Sequence, residues 1–220
     1  MLPQFALPGA PRLPQRDLPF VHRIFTPEDP DGTTLVLLHG SGGNETDLLP
    51  FAHRVNPRAT LIALRGRAVE EGTPRWFRRE GLMRFDQDDI RAEAEAFDAF
   101  LTEARRAYGL DPDGLSVIGY SNGAAFLGAV LQLYPGAVRR AVLLRPAAAL
   151  EQAPAADLHG TRVLALTGAR DFFRAEAPKL TAALTAAGAG VTLRAFDAGH
   201  EITTADEAAV QHWMTGETDG

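Results

Sequence analysis

Short, nearly unbroken apolar runs alternate along this chain with longer stretches in which apolar residues recur every three or four positions. The runs Thr34–Leu38, Leu61–Leu64, Leu115–Gly119, Ala141–Leu144, Arg162–Leu166 and Val191–Phe196 are rich in Val, Ile and Leu, and Val21–Phe25 adds a plausible edge strand. Continuous rather than alternating hydrophobicity is what strands show when helices cover both faces of a parallel sheet. Between about Asp88 and Tyr108, apolar residues at Ile90, Ala94, Phe97, Leu101, Ala104 and Tyr108 lay one stripe along a helix, and Gly109 stands where a C-terminal cap belongs. Asn122–Tyr134 is apolar all round and stops at Pro135, as a helix buried against a sheet would. Phe173–Ala187 ends at Gly188, and Thr204–Met214 opens on Thr204-x-x-Glu207, a capping-box pattern. The alternation predicts an α/β fold, a mostly parallel central sheet of about seven strands flanked by helices on both faces.

Two stretches depart from this rhythm. The first residues, to about Pro19, carry prolines at 3, 8, 11, 14 and 19 and predict an extended N-terminal arm over 1–19, with one domain following over 20–220. Residues 65–86 follow neither period and hold Gly66, Gly72, Pro74, Trp76, Phe77 and Gly81. A loop insertion of that length in a compact domain reads as a lid or binding loop, or as an irregular surface excursion.

A chain of 220 residues with 45% hydrophobic and 23% charged residues suits one globular domain. A net charge of −6 with no long basic run argues against a nucleic-acid partner. The absence of cysteine removes disulfides, thiolate metal sites and a cysteine nucleophile. The N-terminal stretch lacks the basic and apolar regions of a secretory signal, and no apolar run could span a bilayer, so a cytoplasmic protein without membrane attachment is expected. The histidines and carboxylates show no ligand spacing for a metal.

The chemistry concentrates at four strand ends. Gly119-Tyr120-Ser121-Asn122-Gly123 lies between a predicted strand and a predicted helix, the context of a nucleophile elbow. There the chain turns sharply, glycines leave room for neighbouring backbone, and the hydroxyl stands where helix N–H groups stabilise negative charge. The plain alternative is a serine serving only as a helix N-cap. A hydroxyl needs a base, and of six histidines His200 follows the last predicted strand, in the Ser, Asp, His order of such enzymes. Asp171, past the strand Arg162–Leu166, is the expected carboxylate partner. Asp197 and Glu201 are its rivals, and a helix N-cap is its other use. His39-Gly40-Ser41-Gly42-Gly43-Asn44 follows the strand Thr34–Leu38 and offers an oxyanion-hole donor at the Ser41 N–H, the second being that of Asn122. That loop lacks the Gly-Lys-Ser/Thr ending of a phosphate loop, and His39 is read as bracing it.

These motifs resemble the phospholipase/carboxylesterase family of α/β-hydrolases, which includes acyl-protein thioesterases and small bacterial carboxylesterases. The resemblance runs from about Thr34 to Trp213 and rests on His39 to Leu48, Gly119 to Ala124, and Gly199-His200. The stretch Arg65-Gly66, Glu71-Gly72 and Pro74 to Phe77 is similar to a bacterial subgroup of hydrolases from quinone-stress operons. It implies a catalytic triad of Ser121, Asp171 and His200, oxyanion donors at Ser41 and Asn122, no cofactor or metal, and action on short acyl esters. The thioesterase branch usually carries Gln and Leu where this chain has Asn122 and Ser41, which argues against long-chain depalmitoylation. Arg75, Trp76 and Phe77, with Arg78 and Arg79, suggest a substrate-binding pocket wall for an acyl or aromatic group, one bearing an acidic substituent included. The competing use of the arginines is solvated surface charge. The expected function is a serine carboxylesterase cleaving small acyl or aryl esters through an acyl-serine. Thioesterase or lactone-type hydrolysis, or a binding protein without turnover, are the alternatives. A small-molecule ester is the expected partner, and a homodimer stays open.

Overall fold

The structure is a computed structural model that describes residues 18–81 and 84–216; the proposed N-terminal arm lies, up to residue 17, outside the described residues. Seven strands form one sheet: β1 (His22–Phe25), β2 (Thr34–Leu38), β3 (Thr60–Leu64), then β6 (Leu115–Tyr120), β7 (Arg140–Leu144), β8 (Arg162–Gly168) and β9 (Gly190–Phe196). Between them in the chain, β4 (Ala68–Glu70) and β5 (Thr73–Arg75) pair separately. The main sheet runs β1-β3-β2-β6-β7-β8-β9. Only β1 is antiparallel, against β3, and every other pairing is parallel. This is the expected α/β-hydrolase arrangement, with β1 as the foreseen edge strand.

Five helices cover the two faces. They are α1 (Leu49–Val55), α2 (Gln87–Tyr108), α3 (Asn122–Leu133), α4 (Glu176–Ala186) and α5 (Thr204–Thr215). Because side chains alternate along a strand, β2 sends Leu35 and Leu37 to one face and Val36 and Leu38 to the other. Leu35 and Leu37 pack with Phe51, Ala52, Val210 and Trp213 of α1 and α5. Val36 and Leu38 join the larger core with Ile90, Phe97, Phe126 and Leu180 from α2, α3 and α4. Two buried layers explain why these strands are apolar throughout. Among the described residues, no helix is long and apolar enough to cross a membrane.

Three local expectations are corrected. The capping box of α5 is formed by Thr203 and Asp206, one residue before the Thr204/Glu207 pair: the Thr203 N–H and hydroxyl both bond the Asp206 carboxylate, at 2.7 and 2.8 Å. Helix α4 begins at Glu176 with Ala175 at its N-cap, so Asp171 does not cap it. Asp171 instead closes a turn, its Oδ1 accepting the Phe173 N–H at 2.8 Å. Residues 65–86 are not one irregular loop, since β4 and β5 form a hairpin whose two turn residues, Glu71 and Gly72, have φ of 48° and 77°. Two positive φ values in a two-residue turn match the twist of a hairpin. Pro74 within a three-residue strand hid it from pattern reading.

Candidate active site

The parallel strands β2, β6 and β8 all end at one rim of the sheet, and the loops leaving them carry Ser41, Ser121 and Asp171. Ser121 has φ 53° and ψ −112°, in a region that non-glycine residues rarely occupy. The strain is held by packing and by the Ser121 N–H bonding the Leu144 carbonyl at 2.8 Å. The flanking glycines are required by close approach. A Cβ at Gly119 would lie 2.5 Å from the Gly123 carbonyl oxygen, and one at Gly123 would lie 2.3 Å from that of Leu38. Ser121 stands at the N-cap of α3 but makes no side-chain cap bond. Its hydroxyl goes elsewhere.

Ser121 Oγ is 2.8 Å from His200 Nε2, and His200 Nδ1 is 2.9 Å from Asp171 Oδ2. Asp171 is buried, while the imidazole is partly open to solvent. The rival carboxylates have other partners. Asp197 pairs with Arg170 at the surface, and Glu201 accepts the Gly199 N–H at 3.0 Å. With the carboxylate acting on Nδ1, that nitrogen carries the proton and Nε2 is left as an acceptor facing the hydroxyl.

The loop after β2 is braced as expected. His39 Nδ1 donates to the Gly40 carbonyl at 2.6 Å and Nε2 accepts the Gly66 N–H at 3.0 Å. That pattern needs a neutral ring, and burial of His39 pushes its pKa below the ordinary value, in the same direction. Ser41 and Asn122 both line the cavity above Ser121, and among the described residues neither backbone N–H has a partner. The Gly42 N–H is already used, bonding the Pro74 carbonyl at 2.9 Å.

The expected substrate wall divides. Arg75 and Phe77 line the cavity together with Arg79, Phe85 and Phe173. Trp76 does not: its ring is fully buried, stacks on Phe126 with centroids 5.3 Å apart, and donates Nε1–H to the His39 carbonyl at 2.8 Å. Its backbone N–H bonds Asn122 Oδ1 at 2.8 Å. Trp76 therefore ties the hairpin to the elbow and is withdrawn as a pocket residue. Arg78 follows the solvated-charge alternative, pairing with Asp86 and Asp89 at the surface.

Sequence reasoning missed the clamp behind His200. Arg145, at the end of β7, has φ 55° and a side chain with no exposure. Its Nε donates to the Gly199 carbonyl at 3.1 Å and its Nη2 to that of Glu201 at 2.6 Å. Asp206 holds the same guanidinium through both carboxylate oxygens, each at 2.8 Å. The Tyr120 hydroxyl donates to the carbonyl of His200 itself at 2.9 Å. Three successive carbonyls around the imidazole are thus fixed by side chains from two strand ends. The visible signal was a lone arginine closing an apolar strand, Ala141-Val142-Leu143-Leu144-Arg145. Among the described residues, no group of three or more histidine, aspartate or glutamate side chains is arranged to hold a metal ion.

A parallel sheet with an antiparallel edge, a strained elbow serine and a histidine-carboxylate relay at the strand ends together describe a serine hydrolase of the α/β-hydrolase fold. Known proteins carry the assignment one step further. No family model matches the chain. It is 42% identical to the carboxylesterase from Mesorhizobium loti, whose crystal structure superposes with a TM-score of 0.90 over 95% of this chain and all of that one. The Bacillus cereus carboxylesterase is 34% identical, with a TM-score of 0.86, covering 91% of this chain and 95% of that one. MhqD of Bacillus subtilis (strain 168), described as a hydrolase, is 30% identical over 181 residues, 81% of this chain and 90% of that protein. The chain belongs to the phospholipase/carboxylesterase family of α/β-hydrolases, and it is an ester-hydrolysing enzyme.

Proposed function

We propose that Ser121, His200 and Asp171 carry out ester cleavage on small acyl or aryl esters. The observation that carries this reading is the continuous relay from the buried Asp171 carboxylate through both imidazole nitrogens to the Ser121 hydroxyl, with contacts of 2.9 and 2.8 Å. Ser121 Oγ attacks the ester carbonyl carbon while His200 Nε2 takes its proton. The resulting oxyanion sits between the free N–H groups of Ser41 and Asn122, each such donor being worth about 3 kcal/mol of transition-state stabilisation. The tetrahedral intermediate collapses, the ester C–O bond breaks, and His200 returns the proton to the departing alcohol. Water then enters, gives a proton to His200 and attacks the acyl-serine carbonyl, releasing the acid and restoring Ser121. Asp171 stays ionised throughout and stabilises the imidazolium.

A fluorophosphonate probe tests the nucleophile. The native protein is expected to gain one covalent adduct, mapped to the peptide holding Ser121, and Ser121→Ala to gain none. Labelling of both proteins alike would end this assignment.

The cavity above Ser121 measures about 110 Å³. That is smaller than an engineered cavity of about 150 Å³ that encloses benzene, so the part of the substrate seated beside Ser121 is small. Across a series of p-nitrophenyl esters, kcat/KM is expected to level off once the acyl chain fills the space beside Ser121, an added methylene that finds no apolar pocket gaining nothing. A rate that climbs steadily with chain length would contradict a small acyl site.

A further inference from the structure

Three arginines face the cavity, and their charge balance differs. Arg145 is fully matched by the bidentate Asp206. Arg75 and Arg79 instead share the single carboxylate of Glu70. Arg75 Nε lies 2.8 Å from Glu70 Oε2, and Arg79 Nε lies 3.0 Å from the same oxygen. Two guanidinium groups share one directly paired carboxylate, and the other acid of the cleft, Glu71, forms no ion pair with either, in a protein whose net charge is −6.

The Arg75 side chain is only 11% exposed. Its Nε–H is buried and poorly aligned with any acceptor, so the contact with Glu70 is an ion pair without a well-formed hydrogen bond. Its Nη1 donates to Ser41 Oγ at 2.6 Å, which places the head group directly behind the oxyanion loop. Among the described residues, Nη2 of Arg75 and both terminal nitrogens of Arg79 have no partner. Burial and the neighbouring Arg79 charge both work against ionisation of Arg75, lowering its pKa. An anion in front of the pair would reverse that imbalance.

The two arginines also mark a boundary. Both line the cavity above Ser121, and both line a second, open cleft with Glu71, Thr73 and Gly81 at the base of the hairpin. Arg75 and Arg79 thus stand between the cavity at Ser121 and the open cleft, within reach of a substituent on a substrate whose ester carbon lies at Ser121. Among the described residues no carboxylate lines the inner cavity, since Asp171 is buried behind His200 and engaged by it.

We infer that Arg75 and Arg79 form an anion subsite, and that the enzyme prefers small esters carrying a free carboxylate a few bonds from the scissile carbonyl. This rests on the proposed function, because the subsite is defined relative to Ser121. The planar guanidinium forks suit a carboxylate, which accepts two N–H bonds at once.

The test compares anionic esters with neutral partners of similar size. In the acyl arm, methyl hydrogen succinate is set against methyl pentanoate, followed by pH-stat. In the alcohol arm, m-acetoxybenzoate is set against m-acetoxybenzamide. The wild-type enzyme is expected to favour the anionic member of one pair about 10- to 100-fold in kcat/KM, the range for a hydrogen bond to a charged group. Arg75→Gln and Arg79→Gln are each expected to lower that ratio about tenfold, mainly through KM. Since Arg75 also holds Ser41, Arg79→Gln serves as the variant whose side chain touches no reacting group. Fluorophosphonate labelling at Ser121 shows that each variant is folded. A wild-type ratio near one in both arms, or a ratio that neither substitution changes, overturns the subsite while leaving the triad in place. If no ester is turned over and Ser121 takes no label, the proposed function fails and the subsite falls with it.

Discussion

Alanine at Ser121 or at His200 is expected to lower kcat by about 10⁴- to 10⁶-fold, and the double substitution to lower it no further. The reason is that the two side chains act as one unit. Without the imidazole the hydroxyl keeps its proton during attack, and without the hydroxyl the imidazole has nothing to activate. What remains is the binding and oxyanion stabilisation supplied by backbone groups that neither substitution removes. Asp171→Asn should cost about 10⁴-fold for a separate reason, since an amide can hold the imidazole in the wrong tautomer while leaving its position intact. Steady-state kinetics on a p-nitrophenyl ester, with labelling to exclude trace wild-type enzyme, reads all four variants. Additive losses for Ser121 and His200 would mean that the 2.8 Å contact between them is incidental.

The second large effect concerns stability and lies behind the histidine. Arg145→Met leaves the Asp206 carboxylate buried without its cation, and breaking such a pair from one side typically costs about 3–5 kcal/mol. For a chain of this size that corresponds to a fall in Tm of about 6–20 °C. The double substitution Arg145→Met/Asp206→Leu should recover part of the loss, because removing both charges abolishes the unpaired one, while the cap bonds from Thr203 to Asp206 are lost with it. The clamp on Gly199 and Glu201 is not recovered, so activity stays low in the double variant although its Tm partly returns. Activity and Tm recovering together would show that Arg145 acts through stability alone.

The same pair makes the fold sensitive to acid. Burial works against the charge on Asp206, but the hydrogen bonds from Arg145 and from the Thr203 backbone and hydroxyl more than offset it. Its pKa is held below the usual 3.8. A carboxylate with a depressed folded-state pKa adds stability that is present above the unfolded value and is lost as the pH falls below it. Acid unfolding of the wild type should therefore steepen below about pH 4, and Asp206→Asn should flatten that limb. Chemical denaturation at a series of pH values measures it.

The strand runs, the long stripe of α2, the elbow glycines and the order of Ser121, Asp171 and His200 were all legible because each depends on local constraint. Period-two and period-3.6 burial leave a trace in the sequence, and so does a backbone contact that only glycine tolerates. Places where the reading slipped share another cause. The hairpin of β4 and β5 is too short and too polar to show a period, and it exists because its base is anchored to His39 and Asn122. Trp76 looked like a pocket aromatic, since composition does not reveal which way a ring points. Asp171 turned out to serve its local turn and His200 at once, with one oxygen for each.

By itself the sequence determined the strands of the main sheet, the helices α2 to α5, the strained serine turn and the set of side chains able to perform acyl transfer, since these follow from residue chemistry and neighbours a few positions away. Only the tertiary structure decided the strand order and which carboxylate reaches His200. It also decided that Arg145 and Tyr120 hold the histidine loop, and that Arg75 and Arg79 share Glu70 at the cavity wall. Those contacts join residues up to 80 positions apart. Pairings over such distances are selected by packing of the whole sheet and its helices, not by any preference of the segments that make them.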